Sequence, residues 1–328
     1  MSTRTMTCLL VAAMGCGGTP DAKTDAADVQ CEMTSPWARA PDLLRGVAQE
    51  TAAVAADGKI YVLGGFQSLE RSTLVQVFDP AACAWSRGPD MPKDVHHLNA
   101  AVVGSTIYVV GAMQDGGSYT AIGDTWSWNP ATDAGWSIRT PMPAGTERGA
   151  SAVGVIDGKI YVAGGLRNGS RTDVSFYDPV GDTWTPAPPL PLPRDHACGG
   201  GIGGKLYVVG GRNLNPGSPE ANVFELTPGV GWIERVPMPT RRAGAACGVS
   251  GDRIIVAGGE RNPAAGSRGV FPQVEAYNAI LNTWETLAPM PTPRHGMGAA
   301  VWDGRFYVPG GADQQGAGAV AIHEVLTL

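Results

Sequence analysis

The chain has 328 residues, with 46 glycines, 26 prolines and 43% hydrophobic residues, which is too apolar for a disordered polymer and long enough for one large domain or two ordinary ones. Only 16% of residues are charged, and a formal charge of −6 without any lysine or arginine run leaves no electrostatic footprint for nucleic acid. The six cysteines include no C-x-x-C pair, so the usual structural zinc spacings are excluded and neither a metal nor a cofactor is expected.

Residues 1–15 carry one arginine, Arg4, and a short apolar stretch that fits a secretory signal and is too short for a permanent membrane span. The string AMGC at 13–16 resembles a bacterial lipobox, with Ala13 where leucine is more usual. That resemblance implies lipidation of Cys16 as the first mature residue, and Gly17, where an aspartate would mark inner-membrane retention, implies the outer membrane. An ordinary signal peptide, giving a periplasmic or secreted protein, and a cytosolic start with a chance cysteine are the alternatives. Residues 16–30 are Gly, Thr, Pro, Ala and Asp without periodicity, a composition that cannot bury a core and reads as a flexible tether.

From residue 31 onward a unit of about fifty residues repeats. An apolar strand ending in a glycine pair recurs as DGKIYVLGG at 57–65, GSTIYVVGA at 104–112, DGKIYVAGG at 157–165, GGKLYVVGG at 203–211, GDRIIVAGG at 251–259 and DGRFYVPGG at 303–311. Tryptophan follows the same beat at Trp37, Trp85, Trp136, Trp184, Trp232 and Trp284, spaced 48–52 residues apart. Each of the last five precedes a Met-Pro or Leu-Pro turn, at Met91, Met142, Leu190, Met238 and Met290. Such a period is the signature of a repeat architecture.

Glycine pair, aromatic-plus-turn element and tryptophan in register resemble the kelch repeat over residues 31–328. The resemblance implies an all-β propeller of four-stranded antiparallel blades around a channel. The residues agree with it. Small side chains fill the first strand of each unit, the second is apolar throughout as in a sheet covered on both faces, and the tryptophan falls on the outermost strand. Six glycine-pair sites give six blades. The first tryptophan precedes the first pair, so the Trp37 strand is expected to complete the last blade and close the ring.

Cys31 and Cys83 each lie just before an outer-strand tryptophan of neighbouring blades and could pair in an exported chain, the alternative being that the blades hold them too far apart. Cys198 and Cys247 read as buried packing residues of inner strands. His96, His97, His196 and His295 gather near one channel mouth. With no carboxylate in step with them, they read as a polar lining and not as a metal site.

Counting back seventeen residues from the second glycine of a pair finds Arg148, Arg194, Arg242 and Arg294, with His96 taking that place in the second repeat after one deletion. In a propeller these residues share one face, together with Arg167, Arg212 and Arg261 from the loops after the glycine pairs. A ring of guanidinium groups suits a carboxylate, a phosphate or an acidic peptide. The alternative is that such arginines hydrogen-bond the carbonyls of neighbouring blades. The longest loops on this face are residues 113–124 and 260–273.

Glu147, Asp195, His196 and His295 are the nearest acid–base candidates, yet they match no catalytic spacing, and the Tyr, His and Cys set of a galactose-oxidase-like copper site is missing. The kelch resemblance implies either a binding protein or, as in kelch-type sialic acid mutarotases, an enzyme acting on an anionic sugar. The expectation is a monomeric, non-enzymatic protein of the bacterial cell envelope. It would touch the membrane only through its anchor and bind a protein or carbohydrate through Arg148, Arg194, Arg242, Arg294, His96, Arg212 and Arg261.

Overall fold

The computed structural model describes Met1 and residues 36–46, 48–67, 70–115, 119–213 and 218–328. Residues 2–35, on which the expected signal, the expected lipidation at Cys16, the expected tether and Cys31 fall, lie outside the described residues.

Six four-stranded antiparallel sheets make up the fold. Blade 3 shows the plan. Its inner strand Ala152–Ile156 pairs with Lys159–Ala163, then Val174–Asp178, then the outer strand Thr183–Ala187. The Asp157-Gly158 turn makes the first hairpin, with φ of 49° and 74°. Second strands are buried along almost their whole length because blades cover both of their faces, whereas outer strands are largely exposed.

Inner strands approach closely where they carry no side chains. At Gly199 and Gly201 an added Cβ would run into the backbone of Val153 and Val155 in the preceding blade. The channel between the inner strands is about 370 Å³ and is lined by Ala, Val and Gly, among them Ala53, Ala101, Gly154, Gly200, Gly248 and Ala300.

The ring closes as the tryptophan count requires. Trp37–Ala40 pairs with the C-terminal strand His323–Thr327 as the outermost strand of blade 6, in the register Trp37↔Leu326 to Ala40↔His323. All six repeat tryptophans also span blades. Each indole N–H donates to a loop carbonyl of the preceding blade: Trp85 to Pro41, Trp136 to Pro89, Trp184 to Thr140, Trp232 to Pro188, Trp284 to Val236 and Trp37 to Ala288, at 2.7–3.1 Å. The large ring fills the wedge where blades splay, and its one polar atom finds a partner there. Leu43 fills the place of the missing sixth Met-Pro element. It is buried like Met91 and Met142, and its amide donates to Ala321 as theirs do to Thr73 and Gly123.

Two expectations are corrected. Cys198 and Cys247 are joined by a disulfide, with 5.7 Å between their Cα atoms, which staples the inner strands of blades 4 and 5. Their separation of 49 residues is one repeat, and one repeat is what sets residues side by side on adjacent inner strands. Cys83 is also disulfide-bonded, while Cys31 lies outside the described residues.

The segment 113–124 is not a loop throughout. Blade 2 has Ala112 where the other blades have a second left-handed glycine, so Thr106–Gln114 runs straight on and pairs with Thr120–Trp128 past the end of the blade. A bulge between Ile122 and Thr125 absorbs the irregularity.

Candidate functional site at the axial mouth

The four in-step arginines do not face the channel. Arg148, Arg194, Arg242 and Arg294 are 0–1% exposed and act as clamps within their own blades. Arg148 donates to the Val162 carbonyl and the Ser175 hydroxyl, Arg242 to Val256 and Glu275, and Arg294 to Val308 and Glu324. Arg194 instead reaches Asn222 and lies over the Phe224 ring. Arg148, Arg242 and Arg294 each tie the second strand to the third, so the strand carbonyls they serve belong to their own blade and not to a neighbour. Burial pushes the Arg148 guanidinium down to about 10, which leaves it cationic at neutral pH.

The second repeat also shifts by one. The amides of Gly65, Gly165, Gly211 and Gly259 donate to the carbonyls of Val95, Arg194, Arg242 and Arg294. Val95, not His96, therefore holds the arginine place. His96 matches Gly149, Asp195, Ala243 and His295, all bridged to the residue after a glycine pair.

The channel is lined two residues beyond the arginine place. Glu50, His97, Ala150, His196, Gly244 and Gly296 occupy this position in blades 1 to 6, and all are left-handed, with φ between 51° and 63°. Their backbones form a closed ring of hydrogen bonds. Each N–H donates to the C=O of the preceding member, and Glu50 donates to Gly296, at 2.5–3.0 Å. Blades 5 and 6 use glycine here, as the conformation favours, whereas Glu50, His97 and His196 adopt it at a cost. Strain held at polar side chains facing a cavity is a pointer to function.

At the ring is a cavity of about 120 Å³ lined by the ring members Glu50, His97, His196, Gly244 and Gly296 and by residues that follow them, such as Ser151. His97 Nε2 is 3.3 Å from Glu50 Oε2, and its Nδ1 is 2.5 Å from His96 Nδ1. His196 Nδ1 is held by Asp195 at 2.6 Å, and its Nε2 accepts from Arg212 at 3.3 Å. Arg212 also donates to Asp195 (2.8 Å) and Glu260, and Ser170 hydrogen-bonds Asp195. Burial, then the like charges of His196, His96 and Arg212, pushes His97 well below the usual histidine range, so it is neutral. Burial opposes ionisation of Asp195, but the His196 hydrogen bond and the charges of His196 and Arg212 prevail and hold it at about 2.

Around the rim, Tyr119 on the raised hairpin is 41% exposed and sets its ring edge-on to His96 and His97, at 5.4 and 5.5 Å. Arg167 donates to the Gly145 carbonyl and pairs with Asp173 at 3.6 Å. Arg261, at φ 75°, has a buried Nε without a hydrogen-bond partner among the described residues. The 260–273 loop is tied to blade 6 by Arg268, which contacts Asp313 and Gln314. His295 Nε2 faces the carbonyls of Gln314 and Gly316, and Glu147 accepts from the Gly145 amide.

Of the sequence-derived set, Arg212 and His96 thus join the axial cluster, and Arg261 and Arg167 stay in the loops after the glycine pairs. Glu50 was missed. It stands two residues after Ala48, the first repeat's counterpart of the arginines, and continuing the same count would have found it.

Among the described residues, Glu50, His97 and His196 offer three ligand atoms within 4.8 Å of one another. The carboxylate in step with the histidines, absent from the sequence reading, is Glu50.

Fold and repeats together define a kelch-type six-bladed propeller, and the comparisons agree. The family described as KLHDC2/KLHL20/DRC7 Kelch-repeats domain matches residues 29–211, and the Kelch motif matches residues 241–291. The chain belongs to the kelch-repeat family. It is 35% identical to Kelch-like protein terF of Aspergillus terreus, over 97% of this chain and 72% of that protein. It is 34% identical to mouse Kelch-like protein 35 over 56% of this chain, but spans only 30% of that relative's length. A solved structure of YjhT superposes with a TM-score of 0.70 at 18% identity, covering 87% of this chain and 95% of that one, which is a likeness of fold.

Proposed function

We propose that the protein is a non-enzymatic binding propeller of the bacterial cell envelope, anchored through Cys16, which takes a protein or glycan ligand at the axial mouth. The observation that carries this reading is the asymmetry of the axis. Glu50, His97, His196, Arg212 and Tyr119 gather at one end, while the channel beyond is lined by Ala, Val and Gly. Arg261, whose Nε has no hydrogen-bond partner among the described residues, suits an acidic group on the ligand, whereas Arg212 is already paired with Asp195 and Glu260, and Arg148, Arg194, Arg242 and Arg294 serve by holding the blades in shape. Disulfides at Cys198–Cys247 and at Cys83 support an oxidising compartment, and so export.

The test is quantitative capture from a cell-envelope extract by mature protein against an Arg212→Ala, Tyr119→Ala variant of matched thermal stability. Capture is expected to fall at least about tenfold, the cost of a lost anchor of 1.4 kcal/mol. Unchanged capture removes the mouth as the binding site. The anchor is tested separately, since Cys16→Ser should abolish palmitate labelling and release the protein from the membrane fraction.

A second reading is a mutarotase acting on an anionic sugar. It is favoured by His196, a ring lining the axial cavity whose Nδ1 is held by the Asp195 carboxylate, as a proton-transfer group would be oriented. Exchange between sialic acid anomers, followed by NMR with wild type and His196→Ala, separates the two readings.

A further inference from the structure

We infer that Glu50, His97 and His196 form a binding site for one divalent transition-metal ion of the zinc type, set on the axis by the left-handed backbone ring. The inference concerns the floor of the mouth and stands whether or not the rim takes a partner.

Three observations carry it. The first is distance. His97 Nε2 and Glu50 Oε2 are 3.3 Å apart, which is the edge of a tetrahedron whose centre lies about 2.0–2.1 Å from nitrogen and oxygen ligands. All three ligand atoms fit within 4.8 Å, so small side-chain rotations bring the third into place.

The second is the tautomers, fixed by partners outside the cluster. The Asp195 carboxylate accepts from His196 Nδ1, so the lone pair of His196 is on Nε2, towards the cavity. The Asp115 carbonyl, which can only accept, lies 3.4 Å from His96 Nε2 and favours the proton there. His96 Nδ1 is then an acceptor, His97 Nδ1–H donates to it at 2.5 Å, and the lone pair of His97 is on Nε2. That lone pair faces the Glu50 carboxylate, so two acceptors meet with no proton between them and a cation relieves the contact. A carboxylate or imidazole behind each ligating histidine is the outer support that metal sites use.

The third is charge. Glu50, Asp195 and Glu260 contribute three negative charges against the one positive charge of Arg212 within this contact network. A dication balances the remainder. Arg212 Nη2 donates to His196 Nε2 at 3.3 Å, and an ion takes over that lone pair while Arg212 keeps Asp195 and Glu260. Two histidines and one carboxylate leave a coordination position open, and the 120 Å³ cavity that all three residues line gives it room for water or a ligand oxygen.

The experiment is titration of chelator-treated, tag-free mature protein with zinc and with cobalt(II), read by calorimetry and by the visible absorption of tetrahedral cobalt. One equivalent is expected to bind and to raise the melting temperature. His97→Gln, His196→Gln and Glu50→Gln should each weaken binding at least about a hundredfold, and Asp195→Asn by about tenfold to a hundredfold through the histidine it supports. Absence of saturable binding by wild type overturns the site, and because that measurement needs no variant, misfolding of a mutant cannot excuse it. Equal affinity in wild type and a folded His97→Gln, His196→Gln double variant also overturns it.

Discussion

The amide of Glu50 donates to the carbonyl of Gly296 at 2.5 Å, which joins blade 1 to blade 6 and completes the six-membered backbone ring on the axis. The left-handed geometry that makes this bond is shared by residues as unlike as Glu50, His97, Ala150 and Gly244. At Gly244 a Cβ would meet nothing nearer than 3.8 Å, so Gly244→Ala isolates the backbone cost. It should destabilise the protein by about 1–2 kcal/mol. Ala150→Gly, the reverse change, should stabilise it by about 0.5–1 kcal/mol, once glycine's larger unfolded-state entropy is deducted. Urea midpoints check both signs.

Arg242 and Glu275 form a buried pair at 2.6 Å, with Val256 taking a further guanidinium hydrogen. Removing one partner leaves an uncompensated buried charge, so Arg242→Met or Glu275→Leu alone should cost about 3–5 kcal/mol. The double variant should recover most of that loss. Thermal melts of the full cycle give the coupling, and additive losses would show that the clamp does not act as a pair.

The Cys198–Cys247 staple closes a loop of one blade. Reduction, or Cys198→Ala with Cys247→Ala, should lower stability by about 2–4 kcal/mol without changing the far-ultraviolet β signal. Denaturation with and without reductant measures it in a Cys83→Ala background.

His323 is fully buried among Phe78, Trp85 and Tyr307, and burial followed by the field of Arg294 outweighs the Pro41 carbonyl and pushes it down to about 3 from its ordinary 6.5. The folded protein therefore keeps this ring neutral between those values while the unfolded chain takes a proton. Its contribution to stability is complete above pH 6.5 and is lost as the pH falls toward 3, with a slope of up to about 1.4 kcal/mol per pH unit. His323→Leu should flatten that part of the profile. An unaltered slope would place the acid sensitivity elsewhere, His97 being the next group to examine.

The fold was legible because its markers are packing requirements that recur once per blade. Tryptophan must fill the outer wedge, small residues must line the axis, and counting them yields both the blade number and the Trp37 closure. The site was less legible for two physical reasons. An arginine in step at a strand start suits an exposed ring and a buried interstrand clamp equally, and only burial distinguishes them. The true ring position shares a backbone conformation and not a residue type, so Glu50, Ala150 and Gly296 do not resemble one another in composition. The cysteine pairing was hidden because Cys198 and Cys247 read as small apolar residues, although a separation of one repeat already placed them on neighbouring strands.

Hydrogen-exchange mapping of the mature protein, alone and saturated with captured envelope ligand, tests the location of binding most directly. Added protection is expected at the axial mouth, in peptides containing Glu50, His97, Tyr119, His196, Arg212 and Glu260. Protection confined to the opposite end, in the hairpin turns at Asp157, Gly203 and Asp303, or along the outer strands, would contradict it.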